Sequence, residues 1–219
     1  MNAKNIKNFI ISSGLMITFI LFTFMVQFID VKPIGPQDSS VGFASFNGWV
    51  HELLGVHMTL YYITDWASVL TLPIMLGFAA LGLCQLMKRR SLFKVDSHIL
   101  VLGGFYIVVL ACYLYFEHFI VNFRPVLIDG FLEASYPSST TMLVMCVMPA
   151  AMMQFNRFIK NNNARAIVNI FCGIFTGLMV LGRLVSGVHW LTDILGGALL
   201  SAALVMLYFS VITLIDSKA

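Results

Sequence analysis

Charged side chains are scarce in this sequence. They make up 11% of the 219 residues, while hydrophobic residues reach 59%, against about 25% charged and about 45–50% apolar in an average soluble domain. Ten acidic and thirteen basic side chains cannot cover the surface of a soluble domain of this size. This scarcity excludes a water-soluble globule, a coiled coil, a disordered chain and a nucleic-acid-binding module, and it indicates an integral membrane protein.

Cysteine is also rare, and no two cysteines have the spacing of a metal site. The four cysteines lie singly within apolar runs, without a C-x-x-C pair. They are Cys84, Cys112, Cys146 and Cys172. This pattern predicts ordinary core cysteines, with neither a disulfide framework nor a zinc site.

Long apolar runs, by contrast, recur along the chain. A transmembrane helix needs about 20 mainly apolar residues, and six segments meet this requirement. The predicted spans are 9–29, 67–87, 99–121, 140–155, 166–181 and 190–214. They predict an all-α fold, a bundle of six transmembrane helices that forms a single membrane-embedded domain over residues 1–219.

The basic residues divide unequally between the two sides of this bundle. Ten of them lie on the side of both termini, and only Lys32, Arg124 and Arg183 lie on the other. Because loops rich in Lys and Arg stay in the cytoplasm, both termini are predicted to be cytoplasmic in a plasma-membrane protein. The longest loop follows the first helix on the outer side, and its segment 49–58 is predicted to form an interfacial helix lying on the bilayer.

The third predicted loop on the outer side combines an arginine, a histidine and an aspartate. Arg183 precedes His189 by six residues, and His189 precedes Asp193 by four. A spacing of four predicts that His189 and Asp193 share one face of the sixth helix, one turn apart. A carboxylate there can accept one ring N–H, fix the imidazole tautomer and raise the basicity of the other nitrogen, as a nucleophile requires.

A cluster of small polar residues precedes the fourth predicted span. Pro137 is followed by Ser138 and Ser139, an ordinary helix start with one of the two serines as the N-cap. A helix N-terminus with free N–H groups and hydroxyls is also an anion site. Together with the two outer arginines and the histidine on the same membrane face, it predicts a phosphate site.

The spacing of these residues resembles the motifs of the type 2 phosphatidic acid phosphatase family, integral membrane lipid phosphatases related to vanadium haloperoxidases. The three motifs of that family are K-x6-R-P, P-S-G-H and S-R-x5-H-x3-D. Here they read Glu117-x6-Arg124-Pro125, Pro137-Ser138-Ser139-Thr140 and Gly182-Arg183-x5-His189-x3-Asp193. The resemblance implies a six-helix core with its site at the outer, extracytoplasmic face.

The resemblance also implies a role for each matching residue. His189 attacks phosphorus and forms a phosphohistidine, Asp193 orients it, and Arg124 and Arg183 hold the phosphoryl oxygens. The predicted substrate contacts are Ser138, Ser139, Thr140 and Glu117. Such groups catalyse phosphoryl transfer by positioning and electrostatic stabilisation, without a metal or cofactor. The implied partners are a lipid phosphate or diphosphate substrate and the surrounding membrane lipids.

Three positions depart from the family pattern. Glu117 replaces a lysine, Thr140 replaces the histidine that protonates the leaving group, and Gly182 replaces a serine. Loss of a general acid costs about 10²–10⁴-fold, and a basic lipid alkoxide needs that acid far more than a departing phosphate does. We therefore predict an isoprenyl diphosphate or similar anhydride as the preferred substrate, with a protonated Glu117 as the alternative acid.

Other readings of the same residues stay open at this point. Asp129 and Glu133, between the first two motifs, either contact a headgroup or remain solvated, and solvation is favoured. The protein could be a phosphotransferase that passes its phosphoryl group to a lipid or sugar acceptor. It could also be a catalytically silent lipid-phosphate binding or transport protein, although the intact Arg183, His189 and Asp193 favour catalysis.

Overall fold

The computed structural model describes residues 3–218, and α-helices form almost all of its regular structure, which confirms the all-α prediction. Eight α-helices occur within these residues. They are α1 (Ala3–Phe28), α2 (Ala44–Leu54), α3 (Met58–Ser68), α4 (Thr71–Arg89), α5 (Ser97–His118), α6 (Ser139–Phe158), α7 (Asn162–Val185) and α8 (Leu191–Asp216).

Five stretches of this structure are long and apolar enough to cross a membrane. They are α1, α3 continued by α4, α5, α7 and α8, and they coincide with five of the six predicted spans. The remaining predicted span, 140–155, falls on α6, half of whose 20 residues are buried. Because other helices enclose it, α6 can carry Gln154 and Asn156 within its length, which leaves it less apolar than a lipid-facing helix.

The two ends of the bundle are distinguished by how α1 packs along α8. Asn5 Nδ2 donates to Ser217 Oγ at 3.0 Å, and His98, at the start of α5, lies 2.8 Å from Asp216. The 26 residues of α8 span roughly 39 Å at 1.5 Å per residue. The described ends of the chain therefore meet at one end of the bundle, and Leu191 begins α8 at the other.

The loop after α1 contains a helix, but its bounds differ from the prediction. The interfacial helix was predicted over 49–58, whereas α2 covers Ala44–Leu54 and α3 begins at Met58. Gly55 separates the two helices because it adopts a φ of 69°, a conformation in which a helix ends. The location of α2 on the bilayer stays a prediction.

Two loops at the Leu191 end carry the polar residues of interest. Between α5 and α6 the chain folds back on itself, so that Arg124 N–H donates to the Glu133 carbonyl at 3.0 Å and Ser135 N–H to the Asn122 carbonyl at 2.9 Å. Between α7 and α8 the chain turns at Gly187, whose φ is 66°. A Cβ there would lie 1.9 Å from the carbonyl oxygen of Gly55, so only glycine fits this turn.

Candidate active site

His189 lies in the loop before α8, and its side chain is buried. Its Nε2 is 3.2 Å from Nη1 of Arg124. Because a guanidinium can only donate, Nε2 accepts this hydrogen bond and the imidazole is neutral. Burial lowers the pKa of His189 well below its usual value, Arg124 and Arg183 lower it further, and the Ser135 backbone opposes the shift. Nε2 therefore keeps the lone pair that a nucleophile needs.

Asp193 does not share a helix face with His189, so that prediction is wrong. The helix begins at Leu191, which leaves His189 outside it, and Asp193 caps its first turn. Asp193 Oδ2 accepts the N–H of Trp190 at 2.9 Å, and Oδ1 is 3.4 Å from Asn122 Nδ2. The distance from Oδ2 to His189 Nδ1 is 3.7 Å, too long for a hydrogen bond. Asp193 thus places a buried carboxylate near the imidazole without bonding to it.

Arg124 stands in the loop six residues beyond the end of α5, opposite Glu133. The two residues pair through their backbones, and Glu133 Oε2 lies 3.0 Å from Arg124 Nε. This ion pair is not aligned as a hydrogen bond, so the buried Nε–H of Arg124 is without an acceptor among the described residues. Glu133, for which solvation was favoured, is instead in direct contact with the arginine that bonds His189.

Arg183, in the last turn of α7, is held from two sides by α3 and α6. Its Nη1 donates to the Tyr61 carbonyl at 3.2 Å and lies 3.4 Å from Thr64 Oγ1. Its Nη2 donates to Asp65 Oδ1 at 3.1 Å and to Thr140 Oγ1 at 2.6 Å. Of the guanidinium nitrogens of Arg183, only the buried Nε makes no hydrogen bond within residues 3–218. The side chain is therefore fixed in place before any ligand binds.

No predicted site residue lies on α3, yet this helix joins the site. The Tyr61 ring lies between the two arginines, with its centroid 4.6 Å from Arg183 Cζ and 5.7 Å from Arg124 Cζ. Asp65 precedes Arg183 by 118 residues, and no periodicity or motif relates positions so far apart. The one available signal was Asp65 itself, an acid at the edge of an apolar run, which is costly in a membrane unless it is paired.

The predicted substrate contacts separate into different environments. Ser138 is the N-cap of α6, as one of the two predicted alternatives; its Oγ accepts the Thr141 N–H at 3.5 Å and its own N–H donates to the Asp193 carbonyl at 3.0 Å. Ser138 is fully buried, so its polar groups are not available to a ligand. Ser139 and Glu117 do face open space. Glu117 is exposed, so the burial that would favour an acid role is lacking.

An open cavity of about 520 Å³ brings the polar residues together. Its polar wall includes Glu117, Arg124, Glu133, Ser135, Ser139 and His189. Thr140 instead lines an adjacent, mostly apolar cavity of about 480 Å³ between α3, α4, α5 and α6, with Asp65 also on its wall. The two cavities share Tyr113, Ser139 and Met142 as lining residues. A polar chamber and an apolar groove thus meet at the first turn of α6.

The apolar groove continues along the bundle. Met75, Tyr106 and Ile107 line both the adjacent cavity and a further apolar cavity of about 410 Å³ between α4 and α5. Within residues 3–218, no group of three or more His, Cys, Asp or Glu side chains could hold a metal ion. The arrangement therefore combines three features: hydrogen-bond donors for an anion, a neutral imidazole, and a long apolar groove beside them.

Residues 97–215 match the family model of the PAP2 superfamily, which covers more than half of the chain. The protein belongs to the PAP2 superfamily. The matched region of this PAP2 protein contains α5 to α8 and hence all three motifs, whereas α3, with Tyr61 and Asp65, lies outside it. No curated protein matches the sequence.

The fold of this PAP2 protein is similar to that of a solved structure over almost its full length. That structure is a transmembrane PAP2-type phosphatidylglycerolphosphate phosphatase from Bacillus subtilis, with a TM-score of 0.60 and 19% sequence identity. The similarity covers 94% of this chain and 96% of the other. The overall fold of this chain is therefore shared with another PAP2 protein.

Proposed function

We propose that this protein hydrolyses a lipid phosphate or diphosphate through a phosphohistidine on His189. The observation that carries the proposal is a buried, neutral imidazole on the wall of an open cavity, with Arg124 Nη1 3.2 Å from its Nε2. The Nε–H of Arg124, on the wall of this cavity, has only the poorly aligned Glu133 carboxylate beside it and makes no hydrogen bond in the described chain. An unsatisfied buried donor costs about 1–3 kcal/mol, and a phosphoryl oxygen would satisfy this donor.

The proposed first step uses these groups in turn. Phosphoryl oxygens take over the N–H that Arg124 donates to Nε2, and the freed nitrogen attacks phosphorus. The bond from phosphorus to the leaving-group oxygen breaks as the P–N bond forms. The imidazole then carries positive charge, which the Asp193 carboxylate, 3.7 Å from Nδ1, stabilises without accepting a proton. The first turn of α6, at Ser139, presents its N–H groups to the same phosphoryl oxygens.

A lipid substrate is supported by the apolar groove that adjoins the polar cavity. Such a groove is as apolar as the bilayer interior, so a lipid tail can move into it from the membrane at little cost in free energy. Because the groove begins at Ser139 and runs between α4 and α5, a single molecule can place its phosphate at His189 and its tail in the groove.

A diphosphate substrate is supported by the absence of a second histidine from the polar cavity of the described structure. Thr140, at the position of the motif histidine, bonds Arg183 and lines the apolar groove instead. A phosphate leaving from a diphosphate needs little proton donation, whereas a lipid alkoxide leaving from a monophosphate needs it strongly. We therefore propose an isoprenyl diphosphate, attacked at its terminal phosphorus, as the preferred substrate.

The outer membrane face is proposed for the site because the basic loops lie at the opposite end. Lys88 and Arg89 end α4, and Arg157 lies in the last turn of α6. Arg157 is 3.8 Å from Asp96, at the end of the bundle where α1 begins and α8 ends. The positive-inside rule then leaves the Leu191 end, with His189, outside the cell.

The test uses purified protein with a prenyl diphosphate and the matching monophosphate. We expect phosphate release from the diphosphate to be about 10²–10⁴-fold faster, the range a missing general acid predicts. His189→Ala should abolish release, and His57→Ala, which alters an exposed histidine outside the cavity, should not. Equal rates for the two substrates would contradict the diphosphate preference.

The same assay separates the two alternative functions. Release that survives in His189→Ala would contradict the phosphohistidine mechanism. Binding of the diphosphate without turnover would favour a silent binder, and labelled phosphate appearing on an added lipid or sugar alcohol would favour a phosphotransferase.

A further inference from the structure

The second half of the proposed reaction requires a base. Hydrolysis of a phosphohistidine needs a water molecule to lose a proton as it attacks phosphorus. In the described structure, His189 is the only histidine that lines the polar cavity, and it is the residue that carries the phosphoryl group. Thr140 faces the apolar groove and bonds Arg183. Another group must therefore accept the proton.

Glu133 is separated from the nucleophile by a single guanidinium. Its Oε2 lies 3.0 Å from Arg124 Nε, and Nη1 of the same arginine lies 3.2 Å from His189 Nε2. A phosphoryl group bonded to Nε2 and held by Arg124 would therefore stand next to the Glu133 carboxylate. Water that attacks this phosphoryl group in line with the P–N bond would come from the open cavity, whose wall includes Glu133.

The position of Glu133 is both fixed and accessible to water. The backbone pairing between Arg124 and Glu133 holds the two residues in register at 3.0 Å. The Glu133 side chain is 43% exposed, whereas the Arg124 side chain is 9% exposed. A carboxylate at the boundary between solvent and a buried arginine can take a proton from a bound water and release it to the solvent.

Glu117 is the competing carboxylate, and the structure favours Glu133. Both line the polar cavity. Within residues 3–218, however, no hydrogen bond or ion pair joins Glu117 to Arg124 or His189. Glu133 contacts Arg124 twice, through a backbone hydrogen bond and a side-chain ion pair.

We propose that Glu133 is the general base that activates water for hydrolysis of the His189 phosphoenzyme, an inference that rests on the proposed function. The water oxygen bonds to phosphorus as its proton passes to the Glu133 carboxylate. The P–N bond breaks, and its electron pair returns to Nε2. Inorganic phosphate leaves, and Glu133 gives the proton to solvent. The first step makes no use of Glu133, because the departing phosphate needs no proton.

Because Glu133 acts only in the second step, Glu133→Gln should slow hydrolysis of the phosphoenzyme but not its formation. With purified protein and a prenyl diphosphate labelled at the terminal phosphorus, we expect a burst of one lipid monophosphate per site and accumulation of alkali-stable phosphohistidine. Steady-state phosphate release should fall about 10²–10⁴-fold. Fluoride, an anionic nucleophile with no proton to lose, should restore turnover in the variant and form fluorophosphate.

The control is Asp129→Asn, which alters an exposed carboxylate in the same loop and should keep normal burst and steady-state rates. Normal steady-state release by Glu133→Gln would overturn the proposal. Loss of the burst together with turnover would also overturn it, since Glu133 would then serve the first step. If the unaltered protein formed no phosphoenzyme, the proposed function itself would fail, an outcome distinct from both.

Discussion

The protonation state of one imidazole in this protein depends on its burial and on two arginines. Burial and two arginines lower the pKa of His189, so that it stays neutral where an ordinary histidine becomes protonated. This dependence could not be deduced from the motif spacing, which predicted that Asp193 would bond and fix the ring. The structure instead uses Asp193 as a helix cap, 3.7 Å from the imidazole.

The lowered pKa of His189 has a defined consequence for pH dependence. A group whose pKa is depressed keeps its neutral form as the pH falls through the ordinary value of about 6.5. We therefore expect the rate of phosphoenzyme formation to stay level between pH 7.5 and about 6. The substrate also ionises in this range, so its titration is measured by ³¹P NMR and the rate is corrected for it. Rapid-quench kinetics measure this rate, and a loss of half the rate near pH 6.5 would contradict the neutral, buried imidazole.

At the scale of helices, the approach of α3 to α7 explains one departure from the family motif. Gly182 occupies the position of the motif serine, and a Cβ there would lie 2.7 Å from Thr64 Cγ2. Helix α3 can therefore approach closely enough for Thr64 and Asp65 to hold Arg183. The serine is missing because α3 occupies its space, a reason that only the packed structure reveals.

This packing predicts that Gly182→Ser loosens the support of Arg183. Overpacking of this kind costs about 1–3 kcal/mol, and we expect lower thermal stability together with about tenfold slower phosphate release. Thr64→Ser removes the clashing methyl group but keeps the hydroxyl, so the double variant should recover both properties. Gly177→Ser is the matched control, because nothing lies within 4 Å of a Cβ at that position of α7. Unchanged activity in Gly182→Ser would show that this contact does not position Arg183.

The groove between α4 and α5 predicts how the proposed activity depends on the length of the lipid tail. Gly103 lines its far part, and a Cβ there meets nothing within 4 Å, so Gly103→Leu fills the groove without disturbing the fold. The added side chain clashes with the end of a long tail, and overpacking of this kind costs about 1–3 kcal/mol, roughly a fivefold to hundredfold loss in kcat/KM. We expect this loss for a long prenyl diphosphate and not for a short one.

Steady-state kinetics with the two chain lengths measure this effect of Gly103→Leu. Gly173→Leu provides the control, since Gly173 is an exposed glycine of α7 with open space around its Cβ. An equal loss for both chain lengths would mean that the tail lies elsewhere.

The sequence was most informative about elements and least about their contacts. Apolar runs located every long helix, because membrane-spanning length is a local property. The interfacial helix was displaced, since the prediction continued through Gly55, whose positive φ ends α2. Spacing singled out Arg124, Arg183 and His189, which the structure brings near one another. Tyr61 and Asp65 were not predicted, and solvation was favoured for Glu133, because their contacts arise from pairings between separate segments.

For the molecule as a whole, the scarce charges form two distinct populations. Basic residues such as Lys160 lie in the loops at the end of the bundle where α1 begins and α8 ends. At the opposite end, each site arginine has an acidic partner, Glu133 for Arg124 and Asp65 for Arg183. Under the positive-inside rule, the excess of Lys and Arg at one end predicts that this end faces the cytoplasm.

This orientation predicts opposite labelling of two single-cysteine variants by a membrane-impermeant maleimide. The four native cysteines lie within helices and would first be replaced by alanine, with phosphate release checked to show that the fold is kept. Asp129→Cys, in the exposed loop beside the site, should be labelled in intact cells. Lys160→Cys, in the exposed turn between α6 and α7, should be labelled only after the membrane is permeabilised. The reverse pattern would place His189 on the cytoplasmic face, and inorganic phosphate would then be released inside the cell.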